Sequence, residues 1–319
     1  MQTHTQTCCY GANAWTILNS IEQSIKRKVE SLGTPLKDWD VEIYRGVLTG
    51  FNDAFIIDTA KRDAILNACS DEDERIRTAE IIRPILRGRD IKRYSYEWAE
   101  QWLIATFPAR HYDIERFPAV KNYLESFAYD YLIQNGYAWI ANNYLSEYCR
   151  KKLEQSGKDI IINGKPVLDA KGTKEKSRKK TSNKWFETQD SISYWDDLSK
   201  PKIVWGNLNQ TASYAYADGT LFINAPGTMI VPASKYLLGT LNSKLADFYI
   251  RSLGVVRNAG YFEYKPMFVS KLPVILSVAE SEEESFSKLI DDHDEAAIDK
   301  RVYELYGLTE EEANYLENW

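Results

Sequence analysis

Hydrophobic periodicity changes twice along this chain, and that alternation constrains the fold more than any single motif. Residues 13–32, NAWTILNSIEQSIKRKVESL, place Trp15, Ile17, Leu18, Ile21, Ile25, Val29 and Leu32 at helical spacing. Gly33 then reads as a C-cap, and Pro35 bars continuation. From WDVEIYRGVLTGFNDAFIID onward the apolar residues fall into short β-prone runs, Val41 and Ile43 first and then Phe55 to Ile57, punctuated by Gly46 and Gly50. QWLIATF and KIVWGNL read as further strands, and DGTLFIN as a turn and a strand. FPAVKNYLESF reads as a helix with Pro118 in its first turn. Helical spacing returns in SKYLLGTLNSKLADFYIRSLG, where Leu237, Leu238, Leu241, Leu245, Phe248 and Tyr249 form one stripe. Ser234 is its expected N-cap, and the helix is expected to close near Gly254. EEESFSKLIDDHDEAAIDKRVYELYG carries a helix that can break midway, and TEEEANYLENW another, with Thr309 and Glu312 at capping-box spacing. Strands in the middle and helices at both ends predict an α+β fold.

A chain of 319 residues can bury a substantial core, as one large domain or two ordinary ones. No apolar run approaches the roughly 20 residues of a membrane-spanning helix. MQTHTQTCCYGANAW has no basic region followed by an apolar one, so no signal peptide is expected. The four cysteines lack metal-ligand spacing and adjacent Cys8 and Cys9 make a poor disulfide, which points to free thiols in a reducing cytoplasm. The net charge of -6 conceals an asymmetry. From Val278 onward, 14 acidic residues against three basic ones give about -11, which leaves about +5 for the preceding body. A polyanion would therefore have to meet the body.

Residues for catalysis are scarce. There is no glycine-rich phosphate loop and no G-x-S-x-G elbow, and His4, His111 and His293 are scattered. The Glu263-x-Lys265 pair in FEYK is reminiscent of metal-dependent nucleases, but so short a match is common by chance and no Pro-Asp partner precedes it, so the pair reads as a strand end with exposed charges. The chain is expected to be non-catalytic by itself.

Binding features are more numerous. RPILRGRDIKRY gathers Arg83, Arg87, Arg89, Lys92 and Arg93 around Asp90, either to hold phosphates or as a solvated turn. INGKPVLDAKGTKEKSRKKTSNK carries Lys174, Lys176, Arg178, Lys179 and Lys180 with almost no apolar residue after Leu168, either as an arm for DNA or as a plain linker. PKIVWGNLNQTASYAYADG interleaves Asn207, Asn209 and Gln210 with aromatics, and WFETQDSISYW adds Gln189. Amide side chains can pair bidentately with adenine, although amide-rich hairpin turns are ordinary too.

In order, the segments PLKDWDVEIYRGVLTGFNDAFIID, IIRPILRGRDIKRY, WLIATF, PKIVWGNL, KYLLGTLNSKLADFYI and KLPV form a series from about Leu36 to Glu312. The series resembles the TaqI-like C-terminal specificity domain of type IIG restriction–modification enzymes and related adenine-N6 DNA methyltransferases. IDKRVYELYGLTEEE likewise resembles the C-terminus that follows this domain. The resemblance implies a mixed-sheet specificity domain at 36–277, a helical spacer at 1–35 and an acidic helical tail at 278–319. In that family an N-terminal methyltransferase holds S-adenosylmethionine beside an Asn-Pro-Pro-Tyr motif, and a nuclease, where present, lies further upstream. This chain has no Asn-Pro-Pro run. The resemblance thus implies a target-recognition fragment with no cofactor of its own, S-adenosylmethionine and any nuclease Mg2+ belonging to the missing domains. Its implied partners are double-stranded DNA and those N-terminal domains, with no membrane, in a bacterial or archaeal cytoplasm.

Segments shared by members that read different sequences build scaffold or hold phosphate. This assigns Arg87, Arg89, Lys92 and Arg93 to the DNA backbone, with Asp90 expected to pair with one arginine. Base reading is expected where the chain least follows the template, between Tyr112 and Lys200 and after Trp205. The candidates there are Lys174, Lys176, Arg178, Lys179, Lys180, Gln189, Asn207, Asn209 and Gln210. Two alternatives remain at this point. One is a standalone specificity subunit of a type I-like system, although no internal repeat is visible. The other is an assembly module that docks proteins through its acidic tail and first helix.

Overall fold

The computed structural model describes residues 18–135, 155, 161–162, 165–166, 182–254 and 256–319, without the side chains of 128–135, 161–162, 165–166 and 258. Its main strands are β1 (Glu42–Arg45), β2 (Ile56–Asp58), β3 (Ile82–Leu86), β4 (Gln101–Ile104), β5 (Lys202–Gly206), β6 (Tyr214–Ala217), β7 (Phe222–Ile223) and β8 (Gly227–Val231). Its main helices are α1 (Ser20–Leu32), α2 (Thr59–Asn67), α3 (Glu72–Ile81), α4 (Pro118–Asn135), α5 (Lys235–Asn242), α6 (Lys244–Leu253), α7 (Ala279–Asp291), α8 (Glu295–Leu305) and α9 (Glu310–Glu317). The α+β expectation is borne out. No described helix is long and apolar enough to cross a membrane.

A central antiparallel sheet runs in the order β6-β5-β8-β1. Every residue of β5 and β8 is buried, because both faces of the sheet are covered. The strand period of two sends alternate side chains to separate cores. Ile203, Trp205, Tyr214 and Ile230 pack against a helical layer that includes α1 and α5 to α9. Val204, Ala215, Ala217, Met229 and Val231 pack instead against a second sheet and α2 to α4. That second sheet runs β7-β3-β4-β2, with β7 parallel to β3 and the other pairs antiparallel.

Caps decide where the helices begin and break. α1 starts only at Ser20 because Asn19 and Glu22 form a capping box, each side chain accepting from the other's amide at 2.9 and 2.8 Å. Gly33 at its end is extended rather than left-handed. A Cβ there would lie 2.5 Å from the Pro273 carbonyl carbon, so close approach requires this glycine. The stripe read as one helix from Ser234 to Gly254 is two, α5 and α6, parted at Ser243. Ser243 leaves helical backbone geometry and its hydroxyl accepts from Ala246 N at 3.1 Å, so a new helix begins there. α7 and α8 break at Asp292–Asp294, with His293 in the left-handed region at φ 56°. Thr309 and Glu312 do form their capping box.

Three elements went unanticipated. α2 and α3 are capped by Asp58 and Asp71, each accepting a backbone N–H at 2.7 Å. β3 lies inside the cationic stretch, its Pro84 opposite Trp102, and Ile85 and Leu86 pairing with β7. The acidic tail packs onto the helical layer. Glu283 of α7 accepts from Ser234 Oγ, Lys235 N and Tyr236 N at 2.6–3.0 Å, and Asp299 of α8 accepts from Lys244 N at 2.7 Å. Both carboxylates therefore sit at helix N-termini, where free N–H groups and the helix dipole favour negative charge.

Candidate nucleic-acid interface

The register of the central sheet puts Tyr214, Trp205, Thr228 and Arg45 in one row across its four strands. Beyond that row, at the same end of the sheet, lie Gly46 to Thr49 after β1, Asn207 to Ser213 between β5 and β6, and Gly227 at the start of β8. The turn Gly88–Asp90 closes down on this end. A Cβ on Gly88 would lie 3.3 Å from Gly206 Cα, and one on Gly206 would lie 3.0 Å from Gly88 O. Gln189 and Asp190 dock there too, through backbone bonds to Thr49 O and Leu48 O at 2.9 and 3.0 Å. Arg45 secures the docking by pairing with Asp190 at 3.1 Å. Three of the candidate segments, Arg87–Arg89, Gln189 and Asn207–Gln210, thus share one end of one sheet.

The cations of the cluster differ in what they touch. Arg87 holds Asp90 through Nε and Nη2, both at 2.8 Å, so the expected pairing falls to this arginine. Burial opposes ionisation of Asp90, but the bonds from Arg87 outweigh it and hold the carboxyl below its ordinary range. Arg93 turns toward the helical layer and pairs with Glu295 at 2.6 Å. Arg83 lies over the Phe222 ring at 5.3 Å. Arg89 and Lys92 are exposed, and among the described residues neither is within ion-pair distance of a carboxylate. Lys174, Lys176, Arg178, Lys179 and Lys180 lie outside the described residues.

The amides differ as well. Asn207 Oδ1 accepts from the Thr228 hydroxyl at 2.6 Å, and Asn209 Nδ2 donates to Gly206 O at 2.8 Å. Each of these asparagines has one half of its amide engaged within the protein. Gln210 makes a longer 3.4 Å bond to Ala259 O. Gln189 is half-buried, and its side-chain amide has no partner among the described residues. It is the candidate with both donor and acceptor available for bidentate pairing.

Supporting residues surround the loop. Trp205 Nε1 donates to Tyr264 O at 2.6 Å, and Tyr264 N donates to Asn207 O at 2.9 Å. Arg251 bridges Asp247 and the Gln210 carbonyl. Asn242 pairs with both main-chain groups of Tyr214 at 2.9 Å, closing the edge of β6. Trp205 and Tyr214 stand out in the sequence only as aromatics among the amides, and Tyr264, Asp247, Arg251 and Asn242 do not stand out at all. The one available signal was Asp247 and Arg251 at i, i+4 inside an apolar stripe. Glu263 pairs with Lys265 at 2.9 Å and with Arg257. The bonds from Lys265 and Arg257 hold its carboxyl below the ordinary range. Among the described residues no three His, Cys, Asp or Glu side chains are grouped to hold a metal ion.

Residues 136–274 match the family model of the TaqI-like C-terminal specificity domain. That stretch takes in Gln189, the Asn207–Gln210 loop and their supports, and the resemblance read from the ordered segments is borne out there. No curated protein matches the chain. Among solved structures, the type IIL restriction–modification enzyme MmeI in complex with DNA is similar over 90% of this chain and 37% of its own, at 11% identity and a TM-score of 0.50. The type IIG restriction endonuclease BpuSI is similar over 92% of this chain and 33% of its own, at 10% identity and a TM-score of 0.47. At such identity the likeness to MmeI concerns the fold alone, and this chain spans well under half the length of either enzyme.

Proposed function

We propose that this chain is the DNA target-recognition part of a restriction–modification enzyme. Duplex DNA lies across the end of the central sheet where the turn at Gly88, the Gln189 segment and the Asn207–Gln210 loop meet. Arg89 and Lys92 hold phosphate, since both are exposed and among the described residues neither is within ion-pair distance of a carboxylate. Arg87 and Arg93 act from behind, one locking the turn and the other tying it to α8. Gln189 pairs with a base edge directly, while Asn207 and Asn209 offer the half of each amide left over. Adenine-N6 methylation, and any cleavage, belong to methyltransferase and nuclease domains outside this chain, which would bring S-adenosylmethionine and Mg2+. The observation that carries this reading is the convergence of three segments, far apart in sequence, on one end of one sheet, inside or against the matched specificity domain.

Part of the acidic tail faces inward, which speaks against the protein-docking alternative for those residues. Glu282, Glu283, Glu295, Asp299, Glu312 and Glu317 are all engaged within the chain.

Binding of the chain to a pool of randomised duplexes, across a salt series, tests the proposal. Arg89→Ala and Lys92→Ala should weaken binding alike for all sequences, each flattening the salt dependence by about one phosphate's worth. Gln189→Ala should instead change which base pairs are enriched, at about 1–3 kcal/mol of discrimination for a bidentate pair. Affinity that is flat from low to high salt would sink the phosphate assignment.

A further inference from the structure

Arg251 stands where the amide loop meets the helical layer, and its side chain is mostly covered, with 15% of it exposed. Its Nε lies 2.9 Å from Asp247 Oδ1 and donates to the Tyr264 hydroxyl at 3.1 Å, while Nη2 donates to the main-chain oxygen of Gln210. The Tyr264 hydroxyl also bonds Asp247. The guanidinium carbon lies 4.1 Å from the centroid of Phe262 and 5.2 Å from that of Trp319. Trp319, beyond α9, is held in turn edge-on against Phe248 at 5.2 Å. The loop is thereby tied at both ends to one group of side chains. Asn207 is held through the Tyr264 main chain, and Gln210 through Arg251.

Asp247 neutralises the charge of Arg251, so this arginine is poorly placed to attract phosphate despite its position beside the interface. Its value lies in shape. A planar guanidinium can bond Asp247, Tyr264 and Gln210 at once while lying against two aromatic rings, and a lysine ammonium cannot.

We infer that Arg251 is a positioning residue for base reading, clamping Asn207–Gln210 against the sheet end with Asp247, Tyr264 and Trp319 while making no DNA contact itself. The inference rests on the target-recognition reading above, and it links the tail to sequence selectivity through Trp319. The acidic tail then does more than cover the helical core, because its last aromatic ring helps hold the loop.

The 319-residue chain and four variants, Arg251→Lys, Trp319→Ala, Trp319→Phe and Asn209→Ala, test it by hydrogen exchange and by selection from a randomised duplex pool. Arg251→Lys should speed amide exchange in 207–213 by roughly tenfold or more, with the central sheet unchanged. Trp319→Ala should do so more weakly, and Trp319→Phe should restore protection. In the selection, Arg251→Lys should blur enrichment at the same base pairs that Asn209→Ala alters, at unchanged low-salt affinity for arbitrary duplex. Unchanged exchange in the loop overturns the clamp. A uniform loss of affinity for every duplex overturns it too, since Arg251 would then be gripping phosphate. Should Asn209→Ala leave the enriched sequences as they were, base reading by this loop fails, and the exchange measurement still decides the clamp.

Discussion

Arg83, Arg87, Arg89, Lys92 and Arg93 share one short run, yet their side chains meet an aromatic ring, a buried aspartate, solvent, solvent and a distant glutamate in turn. Neighbours set what a charge can do, and Lys202 illustrates the same rule in the core. It is fully buried in β5, and its Nζ donates to Asp218 O and Leu221 O, each at 3.0 Å. Burial pushes its ammonium down to about 8, with Asp218 opposing the shift and Arg83 adding to it. In the unfolded chain the same group has its ordinary value of 10.5. Between these values the unfolded state binds more protons, so this residue's contribution to stability rises with pH across the window. Below about 8 the cost of the buried charge stands in full. The whole window corresponds to about 3 kcal/mol. Urea unfolding at about pH 7.5 and about pH 9.5 should show the native chain gaining on Lys202→Met as pH rises. Parallel pH dependences for the two proteins would rule this out.

At the scale of elements, caps and close approaches govern where helices stop and how tightly they pair. α5 meets α7 at Gly239, where an added Cβ would lie 2.3 Å from Phe286 Cδ1. Two effects oppose each other in Gly239→Ala. Helix propensity favours alanine by about 1 kcal/mol, whereas forcing a methyl into a packed contact costs about 1–3 kcal/mol. The second should win, since Phe286 is itself fully buried and has little room to move. Gly239→Ala is therefore expected to unfold at lower urea than the native chain, and a more stable variant would show that the two helices can part cheaply. Ser243→Ala, which removes the cap of α6, should cost about 1 kcal/mol without that steric component.

Considered whole, the molecule has two cores on either side of one sheet, and the acidic tail completes one of them. Phe286, Ile298, Val302, Tyr303, Tyr306 and Leu316 of the tail are all buried in the helical layer. At about 1.5–3 kcal/mol for each buried side chain, their gross contribution is on the order of 10 kcal/mol, comparable with the whole net stability of a domain. Lys28–Glu312 at 2.6 Å and the two carboxylates at helix N-termini add specificity to this docking. A chain ending at Ser277 should consequently lose its cooperative thermal transition and expose apolar surface to a hydrophobic dye. A sharp transition retained by that shortened chain would mean the tail is an accessory.

Much of this was legible in the sequence, and the limit falls at a definite place. Helices with a complete apolar stripe and a local cap, such as α1 and α9, and strands with dense β-branched runs, such as β5, follow from interactions within a few residues of each other. So does the bond between Asp90 and Arg87, three positions apart. The break at Ser243 was missed because its capping group competes with an apolar stripe that continues straight through it. β3 was missed because its cations and Pro84 hide a strand that only its neighbours in the sheet make plausible. Which cations are free, which amides keep both halves available, and which end of the sheet collects them depend on partners far away in the chain, Glu295 for Arg93 and Thr228 for Asn207. The sequence by itself determined most of the helices and strands, the family resemblance and the set of candidate residues, since these rest on local spacing and segment order. Only the tertiary structure decided which candidates stand together at one surface, because sheet register and long-range ion pairs are set by packing, and no local pattern records them.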